Sequence, residues 1–142
     1  MELNKKEEIL FSRETIEKRV KELGIEISES YKNKELVVVS LLRGSFIFAA
    51  DLVREISVPV EVDFITTASY GNNEVSSGDV KILHDLRSDL RGKDVLLVDD
   101  IMDSGYTLKK VTEHLHTKNP NSVKVCVMLD KPSRRQINMT PD

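Results

Sequence analysis

The stretch Val95-Leu96-Leu97-Val98-Asp99-Asp100-Ile101-Met102-Asp103-Ser104-Gly105-Tyr106-Thr107 constrains the fold more than any other part of the chain. Four consecutive apolar residues suit a strand covered on both faces, as in a parallel sheet, and Leu108, Val111 and Leu115 then recur at helical spacing. The order is strand, acidic tip, small-residue turn, helix. The backbone N–H groups and positive dipole end of a helix start hold a phosphate without any basic side chain, and Gly105 lets the backbone approach it. The hydroxyls of Ser104 and Thr107 can add hydrogen bonds. Asp99 and Asp100 fall where a strand of an open α/β sheet ends, the usual ligand crevice, and are spaced to meet a vicinal diol or a hard Mg²⁺ ion. Asp103 lies beyond them, nearer a reacting centre. One Asp before a helix would do no more than cap it and stay solvated. Three of them, in register with a glycine turn behind an apolar strand, point to a bound ligand.

The remaining pattern alternates helix and strand. Ser12 is a fair N-cap for a helix with Ile16, Val20, Leu23 and Ile27 on one face. Leu36-Val37-Val38-Val39 reads as a buried parallel strand whose exit is Leu41-Leu42-Arg43-Gly44-Ser45. A second helix follows with Phe46, Ala49, Ala50 and Val53 inward, ending before Pro59. Val60, Val62 and Phe64 alternate with Glu61 and Asp63, and Val80, Ile82 and His84 with Lys81 and Asp85, so each run reads as a half-buried strand with its apolar residues facing the core. The link 69–78 between them is rich in Asn, Ser and Gly, longer than an ordinary hairpin, and reads as a mobile connection or a lid. Arg91-Gly92-Lys93 turns into the acidic-tipped strand, a helix spans about 105–118, and 123–129 forms a last core strand. Strands alternating with helices give an α/β fold with a mainly parallel sheet flanked by helices and right-handed crossovers.

A chain of 142 residues fits one domain, and 39% apolar with 32% charged residues is the balance of a soluble globular protein. The longest apolar runs are strand-sized, so no membrane partner is expected, and the N-terminus lacks the apolar core of a secretory signal, which makes a cytoplasmic location the default. A lone cysteine excludes an internal disulfide, and Cys126, among alternate valines, reads as a small buried apolar residue. The formal charge of −3 argues against a general nucleic-acid binder while leaving room for a local basic site. His84, His114 and His116 show no metal-ligand spacing.

The 95–107 segment resembles the signature of the type I phosphoribosyltransferases, which bind 5-phosphoribosyl diphosphate (PRPP) at a strand-to-helix loop of this shape. In that family the two acidic residues after the apolar strand attend the ribose hydroxyls and the metal, Mg²⁺, and the small-residue turn takes the 5′-phosphate. The resemblance therefore implies PRPP binding by Asp99, Asp100, Asp103, Ser104, Gly105, Tyr106 and Thr107, metal contact through Asp99 and Asp100, and Asp103 as the catalytic residue. Tyr106 in itself reads as a bulky loop side chain. Leu42-Arg43-Gly44 is a weak signal alone, but it resembles the diphosphate loop of the 6-oxopurine branch, where this step is a non-proline cis peptide. Arg43 and Gly44 are then diphosphate-binding. Ser69-Tyr70-Gly71 is similar to the start of that branch's closing loop, although an ordinary flexible hairpin reads equally well. Lys131 matches the lysine that donates to the carbonyl on the purine's six-membered ring, and Arg135 matches an arginine near the diphosphate. Adenine lacks that carbonyl, so an unpaired donor would favour hypoxanthine or guanine.

The resemblance implies transfer of ribose 5-phosphate from PRPP to hypoxanthine or guanine in purine salvage, by a homodimer or homotetramer. Two alternatives are a phosphoribosyltransferase for xanthine or a pyrimidine, and a nucleotide-sensing regulator of the same fold that binds RNA. The negative balance counts against the second. After Pro141-Asp142 related enzymes continue with a strand carrying a base-stacking aromatic and a further acidic metal contact. On that ground the purine pocket is expected to be open on one side, and turnover by these residues alone to be weak unless another chain completes it.

Overall fold

The computed structural model describes residues 10–69, 80–136, 139, 141 and 142. Ser12 caps helix α1 (Arg13–Ser30), its hydroxyl accepting the Thr15 N–H at 3.1 Å. There follow β1 (Leu36–Leu42), α2 (Phe46–Arg54), β2 (Val60–Ser69), β3 (Val80–His84), β4 (Asp94–Met102), α3 (Tyr106–His116), β5 (Ser122–Asp130) and a 3-10 turn, Pro132–Arg134. The described strands form one sheet in the order β3-β2-β1-β4-β5, parallel throughout except for antiparallel β3. This is the α/β architecture that the alternating pattern implies.

β1 and β4 lie in the middle of the sheet and are covered on both faces, which is why they read as unbroken apolar runs. On one face Val37, Val39, Val95 and Leu97 join Leu108, Val111 and Leu115 of α3. On the other Val38, Leu96 and Val98 join Phe48 and Leu52 of α2 with Val20 and Ile27 of α1. Cys126 packs against this second cluster, and burial pushes its thiol up to about 11, in keeping with an apolar role.

Three expectations about facing residues need correction. In α2 the buried residues are Phe48, Ala49 and Leu52, while Phe46 is exposed, because Phe48 and Leu52 share the helix face that meets Val38. In β2 the alternation has the opposite phase: Asp63 and Ile65 are buried, and Val62 and Phe64 are exposed. Val62 and Phe64 pair with Val38 and Ser40, so they share the α2 side of the sheet, but α2 packs over β1 and β4 and leaves this side of β2 uncovered. In β3 Val80 and Ile82 face inward as expected, yet His84 is exposed, since the register with β2 shifts between Thr66 and Thr67. Among the described residues no helix is long and apolar enough to cross a membrane.

Candidate active site

β1, β4 and β5 run parallel, so their C-terminal ends open on one edge of the sheet, and three connections meet there. The first is the turn after β1. The Leu42–Arg43 peptide is cis, as the resemblance implies for this step. Beneath it the buried Ser45 hydroxyl donates to the Leu41 carbonyl at 2.6 Å and lies 2.7 Å from the Ser40 hydroxyl. This network fixes the turn from below and leaves Arg43 and Gly44 exposed at the edge.

The second connection is the acidic tip. β4 extends through the aspartates to Met102, because pairing with β5 continues from Asp99 opposite Val127 to Met102 opposite Asp130. Asp99 and Asp100 are half-buried there, each carboxylate accepting the next residue's N–H at 2.8 Å. Burial, then a hydrogen bond with Asp100 and the negative charges of Asp100 and Asp103, push the Asp99 carboxyl up to about 8. The Asp100 carboxylate also packs against Gly44, which joins the first two connections. Asp103 is exposed and its Oδ1 accepts the Ser104 N–H at 2.7 Å. Gly105 then takes φ +93°, a left-handed conformation open to glycine and costly for other residues, and starts α3 with no side chain capping the first turn. The Ser104 N–H is taken by Asp103, while the amides from Gly105 onward carry no side-chain cap, the arrangement of a helix start that cradles an anion.

The third connection follows β5. Three successive carbonyls of the acidic turn accept hydrogen bonds from it: Met102 from the Lys131 N–H at 2.8 Å, Asp103 from Arg135 Nε at 2.9 Å, and Ser104 from the Gln136 N–H at 2.9 Å. A polar cavity of about 220 Å³ lies between the two, lined by Asp103, Ser104, Ser133, Arg134 and Gln136. A longer apolar groove of about 810 Å³ runs along α1 past Ile16, Val20 and Phe48 and reaches this edge at Asp130 and Lys131.

The structure gathers Arg43, Gly44, Asp99, Asp100, Asp103 through Thr107, Lys131 and Arg135 around one sheet edge. Lys131 is exposed, while Tyr106 and Thr107 are half-buried at the start of α3. Arg135 is placed differently from a surface cation. All three of its nitrogens donate to protein oxygens, Nε to Asp103, one terminal nitrogen to the Met139 carbonyl and the other to the Asp130 carboxylate. Ser69 ends β2, paired with Val80 of β3, and Tyr70 lies outside the described residues. Two contributors escaped the sequence reading. Ser40 sits in an otherwise apolar run, the one signal available, and Asp130 is marked only by its place before Lys131. His114 Nε2 lies 2.9 Å from Asp85 Oδ2.

Comparison with known proteins identifies the family. Residues 7–138 match the phosphoribosyl transferase domain family. The hypoxanthine phosphoribosyltransferase of Salmonella typhimurium is 53% identical over 134 residues, covering 93% of this chain and 75% of that protein. The hypoxanthine-guanine phosphoribosyltransferase of Aquifex aeolicus is 49% identical over 139 residues, 97% of this chain and 78% of its own length. Among solved structures, a hypoxanthine-guanine phosphoribosyltransferase from Bacillus anthracis superposes with a TM-score of 0.92 at 41% identity, over 97% of this chain and 82% of that one. With an acidic strand end and an uncapped helix start on a parallel sheet, and relatives of this identity along nearly its whole length, the chain belongs to the phosphoribosyl transferase domain family.

Proposed function

We propose that the protein transfers the 5-phosphoribosyl group of PRPP to a 6-oxopurine, hypoxanthine or guanine, giving the nucleoside 5′-monophosphate and diphosphate. The observation that carries this reading is the run from the Asp99–Asp100 pair through Gly105 into the uncapped start of α3, with the Arg43–Gly44 turn pressed against it. The names of the relatives support the choice of base.

In this reading the amides of 105–107, with the Ser104 and Thr107 hydroxyls, hold the 5′-phosphate, a remote anchor whose binding energy orients the sugar. Asp99 and Asp100 accept from the ribose hydroxyls. The same two carboxylates fit Mg²⁺: they are adjacent hard oxygen donors, and burial first, then the neighbouring Asp100, raises the Asp99 carboxyl, a site where a divalent cation would favour the ionised form. Such an ion is held by one or two carboxylates and completed by water and substrate oxygens. Bound there, Mg²⁺ would neutralise charge on the departing diphosphate. Arg43 and the Gly44 backbone face the same group from β1.

The reaction breaks the bond between ribose C1 and the diphosphate oxygen and forms a bond from C1 to a purine five-ring nitrogen. The electron pair of the broken bond leaves with diphosphate, and the proton of the attacking nitrogen passes to Asp103, exposed at the turn. Lys131, exposed after β5, donates to the purine carbonyl, which adenine lacks. The exposed apolar residues Phe46 and Ile47 of α2 with Val62 and Phe64 of β2, all on one side of the sheet, fit a second copy of the chain.

Calorimetry with saturating Mg²⁺ tests the central step. Titrating PRPP should release heat at one site per chain, and Asp99→Asn with Asp100→Asn should abolish it. No heat from a folded protein would overturn the assignment.

A further inference from the structure

The acidic turn is stitched to the segment after β5 by three hydrogen bonds on three successive carbonyls, and only the middle one comes from a side chain. That side chain is Arg135, 10% exposed, anchored at its far end by Asp130 and Met139. A buried fork whose nitrogens each meet a protein oxygen acts as a brace, and its geometry is set by the planar guanidinium that no other side chain reproduces. The carbonyl it takes belongs to Asp103, one residue before Ser104 and two before the left-handed Gly105 that opens the amide cradle.

We propose that Arg135 is a positioning residue for the 5′-phosphate turn, held by Asp130, and that it takes no part in binding diphosphate. This deepens the phosphoribosyl transfer reading and rests on it. The brace fixes the direction in which the amides of 105–107 point, and it ties the turn to the backbone that carries Lys131. The base-side segment and the sugar-phosphate turn therefore move as one body, so loss of the brace loosens every ligand that carries a ribose 5′-phosphate, whatever else that ligand carries.

The ligands separate the two roles. PRPP has both a 5′-phosphate and a diphosphate, inosine 5′-monophosphate has only the former, and inorganic diphosphate has only the latter. With Arg135→Gln, dissociation constants for PRPP and for inosine 5′-monophosphate should each rise about tenfold or more, as for loss of a charge-assisted hydrogen bond, while that for diphosphate with Mg²⁺ stays within about twofold. Arg135→Lys should fail to rescue, because a point charge cannot span Asp103, Asp130 and Met139. Asp130→Asn leaves the arginine in place and should show the same pattern more weakly, which keeps the test available if Arg135→Gln does not fold. Weakened diphosphate with unchanged inosine 5′-monophosphate would overturn the proposal, as would no change in any of the three. If the unsubstituted protein bound neither PRPP nor the nucleotide, the transfer reading itself would fall, a result distinct from both.

Discussion

Gly44 and Asp100 meet so closely that a β-carbon on Gly44 would lie 2.6 Å from Asp100 Oδ2. The contact is with the end of a short side chain, so the fold can yield by swinging the carboxylate aside. It cannot do so without moving one of the two oxygen donors at the strand end. Gly44→Ala should therefore leave thermal stability within about 1 kcal/mol, since the position is an exposed turn, while lowering kcat/KM for PRPP about 10²-fold through misplacement of Asp100. Steady-state kinetics beside a denaturant melt would check it, and equal losses in both would mean that the contact serves only the fold.

The Asp99 carboxyl, pushed up to about 8 by burial and by Asp100, carries a proton at neutral pH that a divalent cation must displace. Affinity for Mg²⁺ in the presence of PRPP should rise up to about tenfold per pH unit below that value and level off above it. The same group has a stability signature. Its folded pKa lies above the unfolded one, so the metal-free protein holds the proton more tightly when folded. It loses stability as pH rises from the ordinary carboxylate range through about 8. Asp99→Asn should flatten both profiles, as read by magnesium titration and by melts at about pH 6, 7 and 9.

Asp103 does two things at once: its Oδ1 accepts the Ser104 N–H at 2.7 Å, and the residue stays exposed at the turn. Asparagine can keep the first contact and cannot take a proton. Asp103→Asn should then cut kcat by about 10²- to 10⁴-fold with PRPP affinity changed only a few-fold, whereas Asp103→Ala should lose both. Pre-steady-state turnover together with direct PRPP binding separates the two variants, and normal turnover in Asp103→Asn would remove this residue from proton transfer.

The middle of the sheet was legible because β1 and β4 are buried on both faces, where sequence and burial must agree residue by residue. The shape of the acidic turn was legible for a different reason, since a glycine between an apolar strand and a helical repeat marks where the chain must turn, and Gly105 takes that left-handed position. The facing of β2 was not. Val62 and Phe64 look like a core face, yet Asp63 turns inward, because its carboxylate accepts the backbone N–H groups of Arg87 at 2.8 Å, Ser88 at 2.7 Å and Phe64 at 2.7 Å. Nothing in an alternating pattern states which of its two phases is buried when a carboxylate has backbone donors waiting inside. The bracing of the acidic turn was equally hidden, since two of its three bonds are from backbone amides, which carry no residue signature.

The Asp63 cluster has a measurable weight. Burial raises its carboxyl, but the hydrogen bonds from Ser88, Phe64 and Arg87 outweigh that and hold it below the usual carboxylate range. A lowered folded pKa means stability that is present above the unfolded pKa and lost as pH falls through the folded one. Asp63→Ala should strand three backbone donors and cost about 2 to 4 kcal/mol at neutral pH, with the loss shrinking in acid. Chemical denaturation at two pH values reads this directly.

The other consequence of that inverted phase is the exposed side of β2. Val62 at 41% and Phe64 at 46% exposure share the α2 side of the sheet with Phe46 and Ile47, both more than half exposed. Apolar side chains gathered on one side of a parallel sheet are costly to hydrate, and an isologous pairing of two chains buries the same residues twice over. Phe64→Glu places a charge in the middle of such an interface, where desolvation without a partner is prohibitive, yet leaves the monomer intact because the position is open to solvent there. Sedimentation velocity of the unsubstituted protein should give a species of at least twice the 16.1 kDa chain mass, and Phe64→Glu should give the single chain with unchanged melting behaviour. A monomeric unsubstituted protein, or an oligomer indifferent to the glutamate, would place the contact between chains on some other surface.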